Sequence, residues 1–445
     1  MLALISDRLT VVKSYPRGVM TPSAQSFHLH TLGCPKNQVD SDKIAGSLID
    51  EGLTPTDDPS VADLVVVNTC AFIEEAREES INTILALDSE RSADSRIVVT
   101  GCMAERYGVE LAEALPEVDR VAGFGVPVNF RTRPEGLSAV AEVEAPQFDL
   151  LNLRRPASDL PWAYVKIAEG CDRACGFCAI PSFRGPQRSR DSKSILKEIE
   201  DLDVREAVLV AQDLASYGSD VGERGSIVSL VEAATKIVDR VRLLYLYPSD
   251  LSNELIEAIL ASGVPYFDLS LQHVSRGHLR RMRRWGNGEK FLERIERIRK
   301  LSPDAAFRSN FIVGYPGETE DDQAELLEWL EEAQLDWCGF FTYSPEEGTY
   351  ATSLENQIPA ELMRERHAEL SETQDLITAT RRDAIVGQTI EVLVDSEGIG
   401  RSHREAPEID GVVRVPRDLT PGEIYDVLVV QSEGPDIEAV QVEAQ

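Results

Sequence analysis

A chain of 445 residues has room for two or three domains, and 42% hydrophobic residues are enough for sizeable cores. Its 45 Lys and Arg stand against 77 Asp and Glu, a formal charge of −32, which excludes binding of bare nucleic acid through a general positive field unless a local basic patch exists. The sequence has no apolar run of eighteen residues, no signal-peptide pattern, and seven cysteines at scattered spacings. It therefore argues against a transmembrane helix and a secreted disulfide framework, and the expected location is the cytoplasm, without membrane contact.

The acidic field would attract a basic protein, although an acidic bias that serves only solubility would look the same. Residues 1–26 carry no fold signal and read as a disordered extension, or as sequence ahead of a natural start at Met20. Over 27–145 the pattern is β/α and predicts an open parallel-sheet domain. SFHLHTLG reads as a strand running into Cys34, with a helix over 41–51 opened by Asp40–Ser41 and closed by Gly52. LVVVN (64–68) reads as a buried parallel strand with Cys70 two residues on, followed by a helix over 73–88. RIVVT (96–100) runs into Gly101–Cys102 and a helix over 103–115. Each cysteine thus stands just past the C-terminal end of a strand, the edge where open parallel sheets bind ligands. Three thiolates converging there can hold an iron–sulfur cluster with one iron left open. Three small buried residues filling core space are the alternative. Residues 124–160, with turn residues, prolines and a short acidic stretch, read as a linker.

A second alternation occupies 157–383. Its predicted strands are WAYVKI (162–167), AVLVAQ (207–212), RLLYLY (242–247), YFDLSLQ (266–272), AFRSNFIVG (306–314) and WCGFFTY (337–343), with helices such as 193–202, 289–300 and 321–333 between them. Six β/α units in series predict a partial or full barrel with its site at the C-terminal rim. The loop after the first strand reads EGCDRACGFCAIPSFRG, with Cys171, Cys175 and Cys178 in a CxxxCxxC spacing and Phe177 before the last. Three soft thiolates in eight residues can wrap a cubane of four irons and leave one iron for the amino and carboxylate groups of S-adenosylmethionine. Structural zinc needs four ligands, and no fourth Cys or His lies between Glu169 and Arg190.

Other rim positions follow by the same logic. Gln212 and Asp213 end the second strand, Gln272 and His273 the fourth, and Gly314, Gly317, Glu318 and Thr319 the fifth. Gln212, Asp213 and His273 are candidate catalytic groups, with a satisfied structural histidine as the alternative for His273. Phe177, Gly314, Gly317 and Glu318 are candidate cofactor-binding residues, since glycines let backbone approach the adenosyl part closely. A tight turn around Pro316 would also explain the two glycines. Cys338, inside an apolar strand, reads as core. After a helical stretch over 360–384, the segments TIEVLVD, GVVRVP, YDVLVVQS and IEAVQVE predict a small β-barrel over 384–445. It carries 13 acidic residues against 4 Lys and Arg, which suits a basic protein better than RNA.

The words TLGCPKNQVDSD, NTCAFI, TGCMAERY and EGCDRACGFCAIPSFRG, with this tail, resemble the methylthiotransferase family of radical-SAM enzymes from about residue 27 to the end. The tail is similar to the family's TRAM domain. The resemblance implies two 4Fe–4S clusters. One, on Cys171, Cys175 and Cys178, generates a radical from S-adenosylmethionine. The other, on Cys34, Cys70 and Cys102, handles the sulfur, and a second S-adenosylmethionine supplies the methyl group. CAIPSFRG, LQHVSRGHLRRMRR, FIVGYPGETEDD, YSPEEGTYA and RSHREAPEIDG resemble the branch that acts on ribosomal protein.

That branch implies methylthiolation at the β-carbon of an aspartate of small-subunit ribosomal protein uS-twelve, with this protein or the ribosomal particle as partner and with electron and sulfur donors unidentified. A radical avoids removing a very weakly acidic proton beside a carboxylate. The alternatives are a tRNA adenosine methylthiotransferase and a non-catalytic iron–sulfur protein that binds RNA or ribosomes; the complete cysteine set speaks against the latter. Two departures from the family pattern are the N-terminal segment and LSLQH, where Pro is expected before LQH. The terminal barrel, with its acidic balance and RSHREAPEIDG, is expected to recognise a basic ribosomal protein or the assembled particle rather than free RNA, and to be dispensable for cleavage of S-adenosylmethionine.

Overall fold

The computed structural model describes residues 25–129 and 149–442; all but the last two residues of the predicted extension, and much of the predicted linker, lie outside the described residues. The chain divides into two compact units. One comprises residues 1–159 together with Ile180–Pro186, the other residues 160–179 together with 187–445.

The first unit is an open sheet of five strands, β1 (Ser26–Thr31), β2 (Thr54–Pro55), β3 (Leu64–Thr69), β4 (Arg96–Gly101) and β5 (Arg120–Val121). The order is β2-β1-β3-β4-β5 and every pairing is parallel. All six residues of β3 are buried, as expected for a central strand covered on both faces. Helices Pro35–Asp50, Glu74–Glu90 and Cys102–Ala114 make the crossovers. The first of these begins six residues before the predicted 41–51 helix. Cys34 takes the extended N-cap conformation and Pro35 the first helical position, where its missing N–H costs nothing. Asp40 and Ser41 become buried interior positions, not the cap.

The second unit holds six strands of a β/α half-barrel in chain order. The first is β6 (Trp162–Lys166), and a small ribbon of β7 (Ala168–Glu169) and β8 (Arg188–Ser189) follows it. The others are β9 (Glu206–Val210), β10 (Arg240–Leu243), β11 (Tyr266–Gln272), β12 (Ala306–Val313) and β13 (Trp337–Thr342). They form two parallel three-stranded sheets, β10-β9-β6 and β11-β12-β13, joined by a single bridge, Leu246 to Leu269. The third predicted strand, 242–247, is cut short at Leu243, and Tyr245 just beyond it sits at φ +66°. Helix Glu320–Ala333 opens with a reciprocal capping box between Thr319 and Asp322.

The tail is the predicted small barrel: β14 (Thr389–Ser396), β15 (Ile399–Arg401), β16 (Val413–Arg414), β17 (Ile424–Glu433) and β18 (Asp436–Gln441) close in the order β14-β15-β16-β18-β17. The segment between β15 and β16 corrects one expectation. RSHREAPEID is not a free recognition surface but a plug under the N-terminal ends of the half-barrel strands. Arg401 pairs with Glu206 at 3.0 Å, and the backbone oxygens of Ser402 and His403 accept from Arg242. The Arg404 and Pro407 carbonyls accept from Trp337 and Tyr164, while Asp410 accepts from Tyr266. Glu405, fully buried, is paired with Arg382 of helix Ala360–Asp383. The C-terminal rim of the strands is thereby the end left for a site.

Candidate cluster sites

In the first unit, the C-terminal ends of the adjacent strands β1, β3 and β4 present Cys34, Cys70 and Cys102. Cys34 caps one helix N-terminus and Cys102 is the first residue of another, so both thiols meet the positive end of a helix. The three are close enough to perturb one another electrostatically. Burial raises Cys70, and the neighbouring Cys102 and Cys34 add to it. Burial likewise raises Cys102, with Arg184 pulling the other way. A bound metal reverses this balance, because a coordinated thiol loses its proton. Two glycines make the approach possible. A Cβ on Gly33 would stand 3.0 Å from the Cys70 Sγ. Gly101, at φ +91°, has no room for one, since Asn68 Oδ1 would lie 2.2 Å away.

Around the thiols lies a polar shell that local sequence pattern does not reveal. The Asn37 amide donates to the carbonyls of Leu32 and Thr69, tying the β1 and β3 ends together. Its Oδ1 accepts from Arg184 at 2.7 Å. The Arg184 guanidinium also donates to the Cys102 Sγ at 3.0 Å, pairs with the buried Asp40 at 3.0 Å and lies 3.9 Å above the Phe124 ring. In sequence, Arg184 belongs to the CAIPSFRG loop; in the fold, Ile180–Pro186 is part of the first unit. Three thiols, two of them at helix N-termini, balanced by one guanidinium, fit a cluster held by three cysteines.

In the second unit, the loop after β6 carries Cys171, Cys175 and Cys178. Gly176 anchors it: its N–H donates to the Met282 carbonyl at 2.8 Å and its carbonyl accepts from Ala351 at 2.7 Å. A Cβ there would meet the Tyr315 hydroxyl at 2.7 Å. The Cys171 Sγ accepts from the Arg173 N–H at 3.4 Å, and burial moves that thiol up to about 11. The Cys175 Sγ accepts from Arg284 at 3.3 Å, and Arg284 and Arg173 flank the Tyr247 ring at 4.3 and 4.0 Å. Phe177 packs on the barrel core. These donors suit thiolate sulfur, as the first-unit shell does.

The remaining candidates divide. Asp213 and Gln212 do lie beside the loop. Asp213 pairs with Arg173 at 2.6 Å, and Gln212 donates to Glu169 at 2.7 Å while its buried Oε1 has no partner. Asp213 therefore orients the cluster loop through Arg173. His273 is turned inwards and fully buried; its Nδ1 accepts from the Ser275 N–H, and burial brings it down to about 4, so it is neutral at pH 7. Glu318 accepts from the Gly314 N–H at 2.9 Å and pairs with Arg366 at 2.8 Å, so it braces the turn from within.

A Cβ on Gly314 would strike Met363 at 2.1 Å, so packing explains this glycine. Gly317 alone keeps an open approach, 3.6 Å from Arg281. His273, His278 and Glu318 bring possible ligand atoms within 4.8 Å of one another. The Nδ1 atoms of both rings already face N–H donors, from Ser275 and Arg281, and Arg366 neutralises Glu318. The trio is thus a buried cluster that these contacts satisfy only in part, since the Nε2 atoms of His273 and His278 have no hydrogen-bond partner among the described residues. Gln272, at φ +71° without being glycine, marks backbone strain at the rim that residue type alone does not reveal.

Comparison with known proteins agrees with this division. Residues 165–330 match the radical SAM superfamily, 26–123 match the uncharacterized protein family UPF0004, and 386–442 match the TRAM domain. The fold and sites thus define a radical-SAM enzyme with an additional N-terminal domain. The ribosomal protein uS12 methylthiotransferase RimO of Moorella thermoacetica is 42% identical over 90% of this chain and 95% of its own length. Its namesake in Aquifex aeolicus is 41% identical over 93% and 96%, and that of Saccharopolyspora erythraea 40% over 93% and 95%. The chain belongs to the uS12 methylthiotransferase family. Its cofactors are accordingly two 4Fe–4S clusters and S-adenosylmethionine.

Proposed function

We propose that this chain attaches a methylthio group to the β-carbon of an aspartate of uS12, using one S-adenosylmethionine for the radical and one for the methyl group. The observation that supports it most is the presence of two separate three-cysteine sets, each at strand C-terminal ends, in a member of this family. In this reading Cys171, Cys175 and Cys178 hold the cluster that engages S-adenosylmethionine, and Cys34, Cys70 and Cys102 hold the cluster that handles sulfur. When bound, these groups supply the one-electron and sulfur chemistry that no side chain here provides.

The side chains hold and orient. Arg173, fixed by Asp213, Asp250 and Ser216, sets the conformation of the first turn of the loop. Arg284 directs a positive donor at the Cys175 sulfur, which stabilises thiolate charge. His273, Gly314 and Glu318 keep the strand ends packed behind the rim. The Oε1 of Gln212, near Glu169, is buried and has no hydrogen-bond partner among the described residues.

Mass spectrometry of uS12 and of tRNA from a strain lacking this protein tests the reading. The methylthio mass should vanish from the uS12 aspartate and persist on tRNA. Loss from tRNA with uS12 unchanged would assign the chain to adenosine modification instead.

A further inference from the structure

The chain is strongly acidic, yet one stretch reverses the sign. Residues 276–300 carry ten Lys and Arg against three Glu. Several of these cations are spent internally: Arg284 on Cys175, Arg294 on the Pro248 carbonyl, and Arg299 on the carbonyls of Ala333 and Gln334. Arg280, Arg283 and Lys290 remain exposed, without a carboxylate partner among the described residues. Two large aromatics stand among them. Trp285 is 37% exposed and Tyr350 38%. Lys290 and Arg294 lie over the Trp285 ring at 5.3 and 5.6 Å, and Arg283 over the Tyr350 ring at 3.9 Å.

The position of this surface is set by hydrogen bonds. Gly176 of the cluster loop donates to Met282, whose chain neighbour is Arg283, and accepts from Ala351, whose neighbour is Tyr350. Arg283 and Tyr350 are therefore tied to the loop that carries Cys175 and Cys178, with Arg280, Trp285 and Lys290 in the same stretch of chain as Arg283.

We infer that this rim surface binds RNA of the small ribosomal subunit, beside the protein segment that is modified. Exposed rings offer faces on which unpaired bases stack, and interleaved guanidinium and ammonium groups neutralise the phosphates between them. In a chain whose field otherwise repels phosphate, such a patch concentrates the polyanion at one place, next to the reacting centre. A free basic protein would be repelled here, so the substrate this surface fits is the ribosomal protein in its RNA-bound form. The inference rests on the proposed uS12 substrate for the source of the RNA, while binding itself is measured without turnover.

The test uses the reconstituted full-length protein and RNA extracted from small subunits, with tRNA as the second arm, in a salt series read by filter binding. Binding to subunit RNA should weaken with salt. Replacing Arg280, Arg283 and Lys290 together by Ala should lower the slope of log affinity against log salt by about two, the value for three lost single-strand phosphate contacts. Trp285→Ala should weaken binding about tenfold and leave that slope unchanged. All four positions are on the surface, and circular dichroism of each variant should match the parent. An unchanged affinity and slope in the triple variant would overturn the inference, as would equal modification of free uS12 and of intact subunits. Binding to tRNA alone would overturn the choice of RNA. Methylthiolation of tRNA with no change in uS12 would instead refute the proposed substrate, whatever the binding result.

Discussion

Arg401 of the terminal barrel and Glu206 at the start of β9 form an ion pair at 3.0 Å with both side chains removed from solvent. Glu206 is shared with Arg242 at 2.6 Å, and Arg401 with Asp395 at 2.5 Å. Arg240, also buried, reaches Glu391 at 2.8 Å. Removing one partner of a buried pair strands the other charge and costs about 3–5 kcal/mol. Deleting residues 384–445 would strand the buried Arg240, leave Glu206 with Arg242 as its one remaining named cation and Arg242 without the Ser402 and His403 carbonyls, and would take away the acceptors of Tyr164, Tyr266 and Trp337. The truncated chain is therefore expected to aggregate or unfold, not to retain cleavage of S-adenosylmethionine as a detachable recognition module would allow. Arg401→Ala in the full chain should lower stability by about 3–5 kcal/mol in urea unfolding. A soluble, cooperatively folding truncation would show that the plug is dispensable.

The same network makes stability depend on acid. Burial alone would raise the Glu206 carboxyl, but Arg242, Arg401 and Arg240 outweigh it and bring it down to about 2. Burial of Glu405 is likewise overcome by Arg382 and Ser402, to about 2. A carboxyl with a folded-state pKa below its unfolded value binds protons more tightly in the unfolded chain. Its contribution is complete above about pH 4.5 and is lost as pH falls towards 2. Thermal unfolding of the metal-free chain, followed by far-ultraviolet circular dichroism, should show Tm falling steeply through that window. In the variant with Glu206→Gln and Glu405→Gln, Tm should start lower at neutral pH and fall less steeply in acid. An identical acid slope in the variant would rule these two groups out as its source.

How much of this could be read in the sequence depended on whether the cause was local. The strand Tyr266–Gln272 coincides with its predicted bounds because an apolar run ends at a polar rim. Asp40 and Ser41 are strong capping residues and predict a helix start six residues after the observed one at Pro35, where the N-cap is a cysteine. Pro35 was the signal that could have corrected it. Arg184 gives no hint of its place: Asp40 lies 144 residues away in sequence and Cys102 lies 82 away. RSHREAPEID reads as surface by composition, and only its distant partners, each supplying a charge or an N–H or O–H donor, make it interior. His273 and Glu318 lie at strand ends as predicted, but residue type at a rim does not tell which way a side chain turns.

Metal content tests the two cysteine sets separately. Anaerobically reconstituted protein should hold about eight irons, two cubanes of four. Replacing Cys171, Cys175 and Cys178 by Ala should leave about four, as should replacing Cys34, Cys70 and Cys102. Either triple variant retaining the full iron content, or tightly held zinc in its place, would show that the set is not a cluster site.

The Arg184 guanidinium should tune the first-unit cluster, because a positive donor at a ligand sulfur favours the added electron. The experiment uses the protein lacking Cys171, Cys175 and Cys178, in which only that cluster remains. Arg184→Met is combined with Asp40→Asn so that no buried carboxylate is left alone, since the two groups are paired at 3.0 Å. In a redox titration followed by electron paramagnetic resonance, the reduced-to-oxidised ratio at a fixed potential should fall about tenfold. For a one-electron couple this is a midpoint about 59 mV more negative. Arg184→Lys, which keeps the charge but loses the planar fork, should fall between the two. A purely structural role for Arg184 would reduce the iron retained without moving the midpoint of what remains. That outcome would leave Arg184 as packing and remove it from the account of how sulfur is handled.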